Sequence, residues 1–159
     1  MIPRADKLFA HHFKTINDRN GHAVGDTILQ LFARVVRQTM RASDVIGRLG
    51  GEEFVALLPG TLSDATRAAE RVRSAFAAAY VVRNGQHIAT TVSIGVASGT
   101  PSTTIDRLIA DADTALYRAK TNGRNRVETS PVGAEAASRR KNERENAAVY
   151  DDALENCLA

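Results

Sequence analysis

The chain has 159 residues, 43% of them apolar and 25% charged, which suits one globular domain with a single buried core and disfavours disordered classes. No apolar run approaches the roughly 20 residues that span a bilayer, no secretory signal opens the sequence, and Cys157 as sole cysteine excludes an internal disulfide, all of which fit a cytoplasmic protein. The net charge of +3 is concentrated in the body, because the stretch from Pro131 onward carries more acids than bases; an anionic ligand is expected, and the absence of Trp speaks against the stacking platforms of nucleic-acid binders.

Residues 1–11 form an atypical start. Leu8-Phe9-Ala10 has the composition of a strand end, but Pro3, Arg4, Asp6 and Lys7 make a poor approach to one. Lys14 to Asp26 is polar and punctuated by Gly21 and Gly25, which predicts a structured loop. Asp26 stands as the N-cap of a helix running to about Arg41, with Ile28, Leu29, Phe32, Val35, Val36 and Met40 at helical spacing.

Two strands follow, Asp44 to Leu49 and Phe54 to Leu58, joined by Gly50-Gly51-Glu52-Glu53. Adjacent glycines between strand-like runs signal a tight hairpin turn. The two glutamates at its tip offer hard oxygen ligands of the kind Mg²⁺ prefers. Pro59-Gly60 ends the second strand, and Ser63 or Asp64 caps a second helix that buries Ala65, Ala68, Ala69, Val72, Phe76 and Ala79.

Asn84-Gly85 is a turn, after which Ile88 to Val96 alternates with a period of two. The small residues on the alternate face, Ala89, Thr91, Ser93 and Gly95, imply that something packs closely there. Thr103 or Thr104 caps a third helix with Ile105, Leu108, Ile109, Ala112, Leu116 and Ala119 facing inward. Lys120 lies in its last turn, Gly123 is the C-terminal cap, and Arg124 to Thr129 forms a short final strand. The predicted fold class is α/β, of the α+β layer type: helices packed on a mainly antiparallel central sheet.

Three features share one chemical logic: the carboxylate hairpin, the loop with Asn17 and Asp26, and the cations Lys120 and Arg124 around a helix end. Carboxylate and amide groups can accept from a guanine edge, and Lys and Arg neutralise phosphates. A metal held by the glutamates would bridge phosphate oxygens. In order along the chain stand His12-Phe13-Lys14, Ile16-Asn17-Asp18, Gly21-His22, Gly25-Asp26, Arg48 with Gly50-Gly51-Glu52-Glu53-Phe54, Val92-Ser93-Ile94-Gly95-Val96-Ala97, Leu116-Tyr117-Arg118-Ala119-Lys120 and Gly123-Arg124-Asn125. In these blocks the sequence resembles the GGDEF domains, or diguanylate cyclases.

The resemblance implies a nucleotidyl-cyclase-like domain over residues 12–129, truncated at its start, followed by a charged tail over 130–159. It implies that two GTP molecules are condensed to cyclic di-GMP and two pyrophosphates by a homodimer, formed at least transiently, with Mg²⁺ as cofactor. No nucleic acid is expected as a partner. By analogy Asn17 and Asp26 read the guanine. Lys120 and Arg124, with backbone amides near Phe13 and Lys14, hold the phosphates. Gly50, Gly51, Glu52 and Glu53 form the catalytic turn, in which Glu52 binds metal and Glu53 binds metal or helps deprotonate the attacking 3′-hydroxyl. Arg41-Ala42-Ser43-Asp44 stands where the family has its product-inhibition site, and Arg71 matches a further arginine of that site.

The start of the chain departs from the family pattern. Phe9 and His11 occupy the positions of two aspartates, the first of which is a metal ligand in the family, and Phe cannot coordinate a metal. The first helix and most of the first strand are expected to be missing. The alternative function is a catalytically impaired domain that binds cyclic di-GMP or GTP.

Overall fold

The computed structural model describes residues 17–18 and 21–130, together with the backbone of residues 3–10. Phe13, Lys14, His11, Cys157 and the C-terminal tail lie outside the described residues. Strands β1 (Pro3–Ala10), β2 (Val45–Gly50), β3 (Glu53–Pro59), β6 (Val92–Ser98) and β7 (Val127–Thr129) form one sheet in the order β2-β3-β1-β6-β7. Every neighbouring pair is antiparallel except β6 and β7. A second small sheet is the hairpin of β4 (Val81–Arg83) and β5 (Gln86–Ile88).

The first strand corrects an expectation. β1 is eight residues long and occupies the centre of the sheet, paired with β3 from Pro3 to Phe9 and with β6 from Arg4 to Ala10. Its charged, Pro-led sequence argues against such a place locally. The facing edges of β3 and β6 decide otherwise, since their backbone N–H and C=O groups need partners in the interior, and pairing overrides a weak strand propensity.

Helices α1 (His22–Thr39) and α2 (Leu62–Ala78) cover one face of the sheet. Phe32 of α1 joins Phe54 of β3 and Phe76 of α2 in edge-to-face contacts, with ring centroids 5.0 and 4.9 Å apart. Around these rings Ile28, Val36, Val72, Ile94 and Val96 complete the core. Helix α3 (Ile105–Thr121) covers the other face. All seven residues of β6 are therefore buried, although its sequence alternates. The close packing expected on the small-residue face is found at Gly95, which lies directly under Ala112 and Leu116 of α3.

Three boundaries and the exposure of one residue differ from what the sequence implies. α1 begins at His22 with Gly21 as its cap at φ 82°, so Asp26 stands one turn inside the helix instead of capping it. α2 is capped by Thr61, and Asp64 is the other half of a capping box, each side chain accepting from the partner's backbone N–H. Ile88 belongs to β5 and the chain enters the main sheet only at Val92; Asn84 (φ 50°) and Gly85 (φ 75°) form the two-residue turn that folds β4 onto β5. Ile105 is 52% exposed, whereas Leu108, Ala112, Leu116 and Ala119 face inward as expected.

Candidate active site

The site begins at the turn between β2 and β3. Gly51 has φ 51°, a conformation that side-chain-bearing residues avoid, and a β-bulge falls between Arg48 and Gly50. A Cβ on Gly50 or Gly51 would meet nothing within 4 Å, so the space beside the turn is open to a ligand. Arg48 braces the turn: its Nε donates to the Gly51 carbonyl at 2.9 Å, a second nitrogen donates to the same oxygen, and its guanidinium lies 5.8 Å over the Phe54 ring.

Glu52 and Glu53 emerge from this turn, both half-buried. Burial pushes the Glu52 carboxyl above the usual carboxylate range; nearby Lys120 opposes that shift and Glu53 adds to it. The charge of Lys120, in the last turn of α3, is thus felt at the hairpin tip although the two lie far apart in sequence. Two adjacent carboxylates, one carrying a desolvation penalty that a cation would relieve, are a donor set that fits a hard divalent ion completing its shell with water and phosphate oxygens. Among the described residues no group of three or more His, Cys, Asp or Glu side chains could hold a metal. Phe9 is the cross-strand partner of Glu53, so position 9 brings no side-chain oxygen to this set.

Beside the turn, an open cleft of about 360 Å³ runs between α1 and the hairpin, lined by Asp26, Leu29, Gln30, Ala33, Arg48 and Phe54. Its apolar floor and polar rim match what a planar heterocycle needs. Gln30 enters because it lies one helical turn beyond Asp26 on the same face, a spacing visible in the sequence. Asn17 precedes α1 in helical conformation, and its carbonyl accepts from the Gly21 N–H at 2.8 Å. Its side-chain Oδ1 is buried without a hydrogen-bond partner among the described residues. A buried acceptor left open costs free energy, and a ligand donor can supply the missing bond.

Beyond Lys120, α3 ends in a Schellman-type turn. Asn122 is the cap, Gly123 follows at φ 109°, and Arg124 N–H donates to the Ala119 carbonyl at 2.9 Å. Arg124 is exposed.

Arg41, Asp44 and Arg71 lie elsewhere. They line a second pocket with Pro59, Gly60 and Thr61, at the start of β2. That is the far end of the six-residue strand from the glycine turn, roughly 20 Å away. Asp44 accepts from the Arg41 backbone N–H at 2.8 Å, and Arg71 donates to the Thr39 carbonyl at 3.2 Å, which ties α2 to the end of α1. The pocket itself has about 10 Å³ of free space, room for one water, so a larger ligand would sit over its mouth.

Residues 8–126 match the sequence profile of the family described as "Diguanylate cyclase, GGDEF domain". The chain belongs to this family. It is 42% identical over 120 residues to diguanylate cyclase DgcP of Pseudomonas aeruginosa, covering 75% of this chain and 18% of that protein. It is 46% identical over 116 residues to diguanylate cyclase DgcM of Escherichia coli K12, covering 72% of this chain and 28% of that one. The chain thus spans less than a third of the length of these two relatives. In structure it is similar to the GGDEF domain of DgcB from Caulobacter crescentus, solved in complex with c-di-GMP, at a TM-score of 0.77 and 31% identity, covering 80% of this chain and 77% of that one. The active GGEEF domain of a diguanylate cyclase from Vibrio cholerae gives a TM-score of 0.74 at 32% identity, with 81% and 83% covered. Members of the family use divalent metal ions. No helix of this GGDEF domain is long and apolar enough to cross a membrane, among the described residues.

Proposed function

We propose that this GGDEF domain is a diguanylate cyclase that condenses two GTP molecules into cyclic di-GMP with release of two pyrophosphates. The observation that supports this reading is the half-buried Glu52 at an open glycine turn, within the field of Lys120 and beside a cleft lined by Asp26. One site then offers groups for all three parts of GTP.

Guanine presents two donors, N1–H and the N2 amino group, along one edge. The orphaned Oδ1 of Asn17 and the carboxylate of Asp26 accept from that edge, and adenine, with an acceptor at N1, is rejected. Lys120 and Arg124 neutralise the β- and γ-phosphates, aided by backbone amides at Phe13 and Lys14. Glu52 and Glu53 hold Mg²⁺, which when bound supplies charge stabilisation at the phosphate oxygens. Glu53 also stands ready to take the proton of the attacking 3′-hydroxyl. Gly50 and Gly51 keep the turn free of side chains where the α-phosphate approaches.

A single domain holds one GTP, and the 3′-hydroxyl that attacks it belongs to the GTP of a facing domain. A homodimer, at least transient, sets that in-line angle. Arg41, Asp44 and Arg71 bind the product and hold the domain inactive, with Arg gripping guanine and phosphate edges bidentately. The domain works in the cytoplasm, where GTP is available.

The test is turnover of GTP and Mg²⁺ at high protein concentration, followed by chromatography for cyclic di-GMP. Wild type should form product, and Glu53→Gln should form none while remaining folded. A folded protein that binds cyclic di-GMP but makes none would sink the cyclase reading and leave a binding module, as expected if Phe9 opposite Glu53 deprives the metal of a needed ligand.

A further inference from the structure

We propose that Arg73 is a positioning residue for the phosphate end of the site, clamping Asn125 so that Arg124 is held at the nucleotide's terminal phosphates. This inference rests on the role proposed for Arg124.

Arg73 lies on α2, and its side chain is 20% exposed. Its Nε donates to the carboxylate of Glu70, one turn earlier, at 2.9 Å, and its Nη2 donates to Oε1 of the same group at 2.5 Å. That bidentate grip fixes the guanidinium plane and leaves Nη1 to donate to Asn125 Oδ1 at 2.8 Å, a contact across 52 residues of sequence. α2 plays no other part in the nucleotide site. Arg73 and Glu70 are thus a preassembled fork aimed at one acceptor.

The acceptor sits in a loop that needs holding. Gly123, Arg124 and Asn125 have φ of 109°, 62° and 42°, so two side-chain-bearing residues in succession occupy the left-handed region. L-residues avoid that region, and such a backbone persists only where its surroundings over-determine it. Within the helix–strand unit, Arg124 N–H donates to the Ala119 carbonyl and Asn122 Nδ2 donates to Glu128 Oε1 at 3.2 Å. Arg73 supplies the tie from outside that unit, and it acts on the residue next to Arg124. Releasing Asn125 frees the backbone to leave the left-handed region, and the Arg124 side chain swings with it.

The experiment compares GTP with GMP, which share the guanine and differ by the two terminal phosphates. Affinities are measured by titration calorimetry on wild type, Arg124→Ala, Arg73→Gln and Asn125→Ala. Arg124→Ala should weaken GTP by about tenfold or more while leaving GMP within about twofold. Arg73→Gln and Asn125→Ala should each reproduce most of that selective loss, and the double variant should lose no more than either alone. If Arg73→Gln unfolds the domain, Asn125→Ala carries the test, because it leaves α2 and its Glu70–Arg73 pair intact. Equal weakening of GTP and GMP, or no weakening of either, in variants where Arg124→Ala does discriminate, overturns the clamp and leaves only a structural staple. Failure of Arg124→Ala to discriminate overturns the phosphate role of Arg124 itself, and the clamp's function with it.

Discussion

Gly95→Ala adds one methyl group where β6 meets α3. A Cβ built at this position lies 2.1 Å from the Ala112 carbonyl oxygen, 2.4 Å from the Leu116 nitrogen and 2.8 Å from the Leu116 Cβ. Non-bonded carbon needs about 3.5 Å, so α3 must retreat by roughly 1.4 Å. None of the three obstacles is the tip of a flexible side chain. The helix moves as a body, and Leu108, Ala112, Ala115, Leu116 and Ala119 lose their fit to the sheet. Overpacking a core costs about 1–3 kcal/mol, and a clash with backbone belongs at the top of that range. A loss of about 3 kcal/mol lowers the melting temperature by roughly 10–15 °C in a domain of this size. It also displaces Lys120 and Arg124 relative to Glu52, so GTP affinity should fall with stability. The assay is urea and thermal unfolding followed by circular dichroism, with Gly47→Ala as the control. There the new Cβ meets only Val55 Cγ1, at 3.5 Å, and the change should stay within about 0.5 kcal/mol. A Gly95→Ala domain as stable as the Gly47→Ala control would refute this account of the sheet–helix contact.

Asn17→Ala removes the orphaned acceptor and should weaken GTP by about tenfold while leaving the much weaker binding of ATP unchanged; an equal change for both nucleotides in a titration would contradict a guanine-reading role. Arg41→Ala should cost cyclic di-GMP affinity at least about tenfold, as a lost charge-assisted bond does, and should relieve inhibition in a progress curve; unchanged affinity would show that the Arg41–Asp44 pocket is not the product site. Asp64 is held well below the usual carboxylate range, first by its hydrogen bonds from the Thr61 side chain and backbone and then by Arg67. Its folded pKa is below the unfolded value of about 3.9, so its contribution is complete above that pH and fades as the pH falls further. The stability gap between wild type and Asp64→Asn, read from urea unfolding, should therefore be constant above about pH 5 and shrink on acidification; a gap unchanged down to pH 2.5 or so would refute the capping-box account.

Much of this molecule is written locally in its sequence. The apolar faces of α1, α2 and α3 repeat within one or two helical turns, and the pairs Gly50-Gly51 and Asn84-Gly85 mark their turns by residue type alone. The glutamates beside Gly51, Asn17 with Asp26, and Lys120 with Arg124 could likewise be singled out as three groups with related chemistry. Their assembly depended on the fold. The charge of Lys120 reaches Glu52 because α3 packs across β6, which the small side of Gly95 permits. Gln30 joins the site through a helix face whose partners are defined only once α1 lies beside the hairpin. The contact of Arg73 with Asn125 has no local signal, since it links a helix to a loop 52 residues away. The place of β1 is the clearest case. Only Leu8-Phe9-Ala10 has the composition of a strand, and the unpaired edges of β3 and β6 make the whole of Pro3–Ala10 the central one. A periodicity is a property of a single segment, whereas an edge to be paired or an acceptor to be reached exists only after other segments have come together.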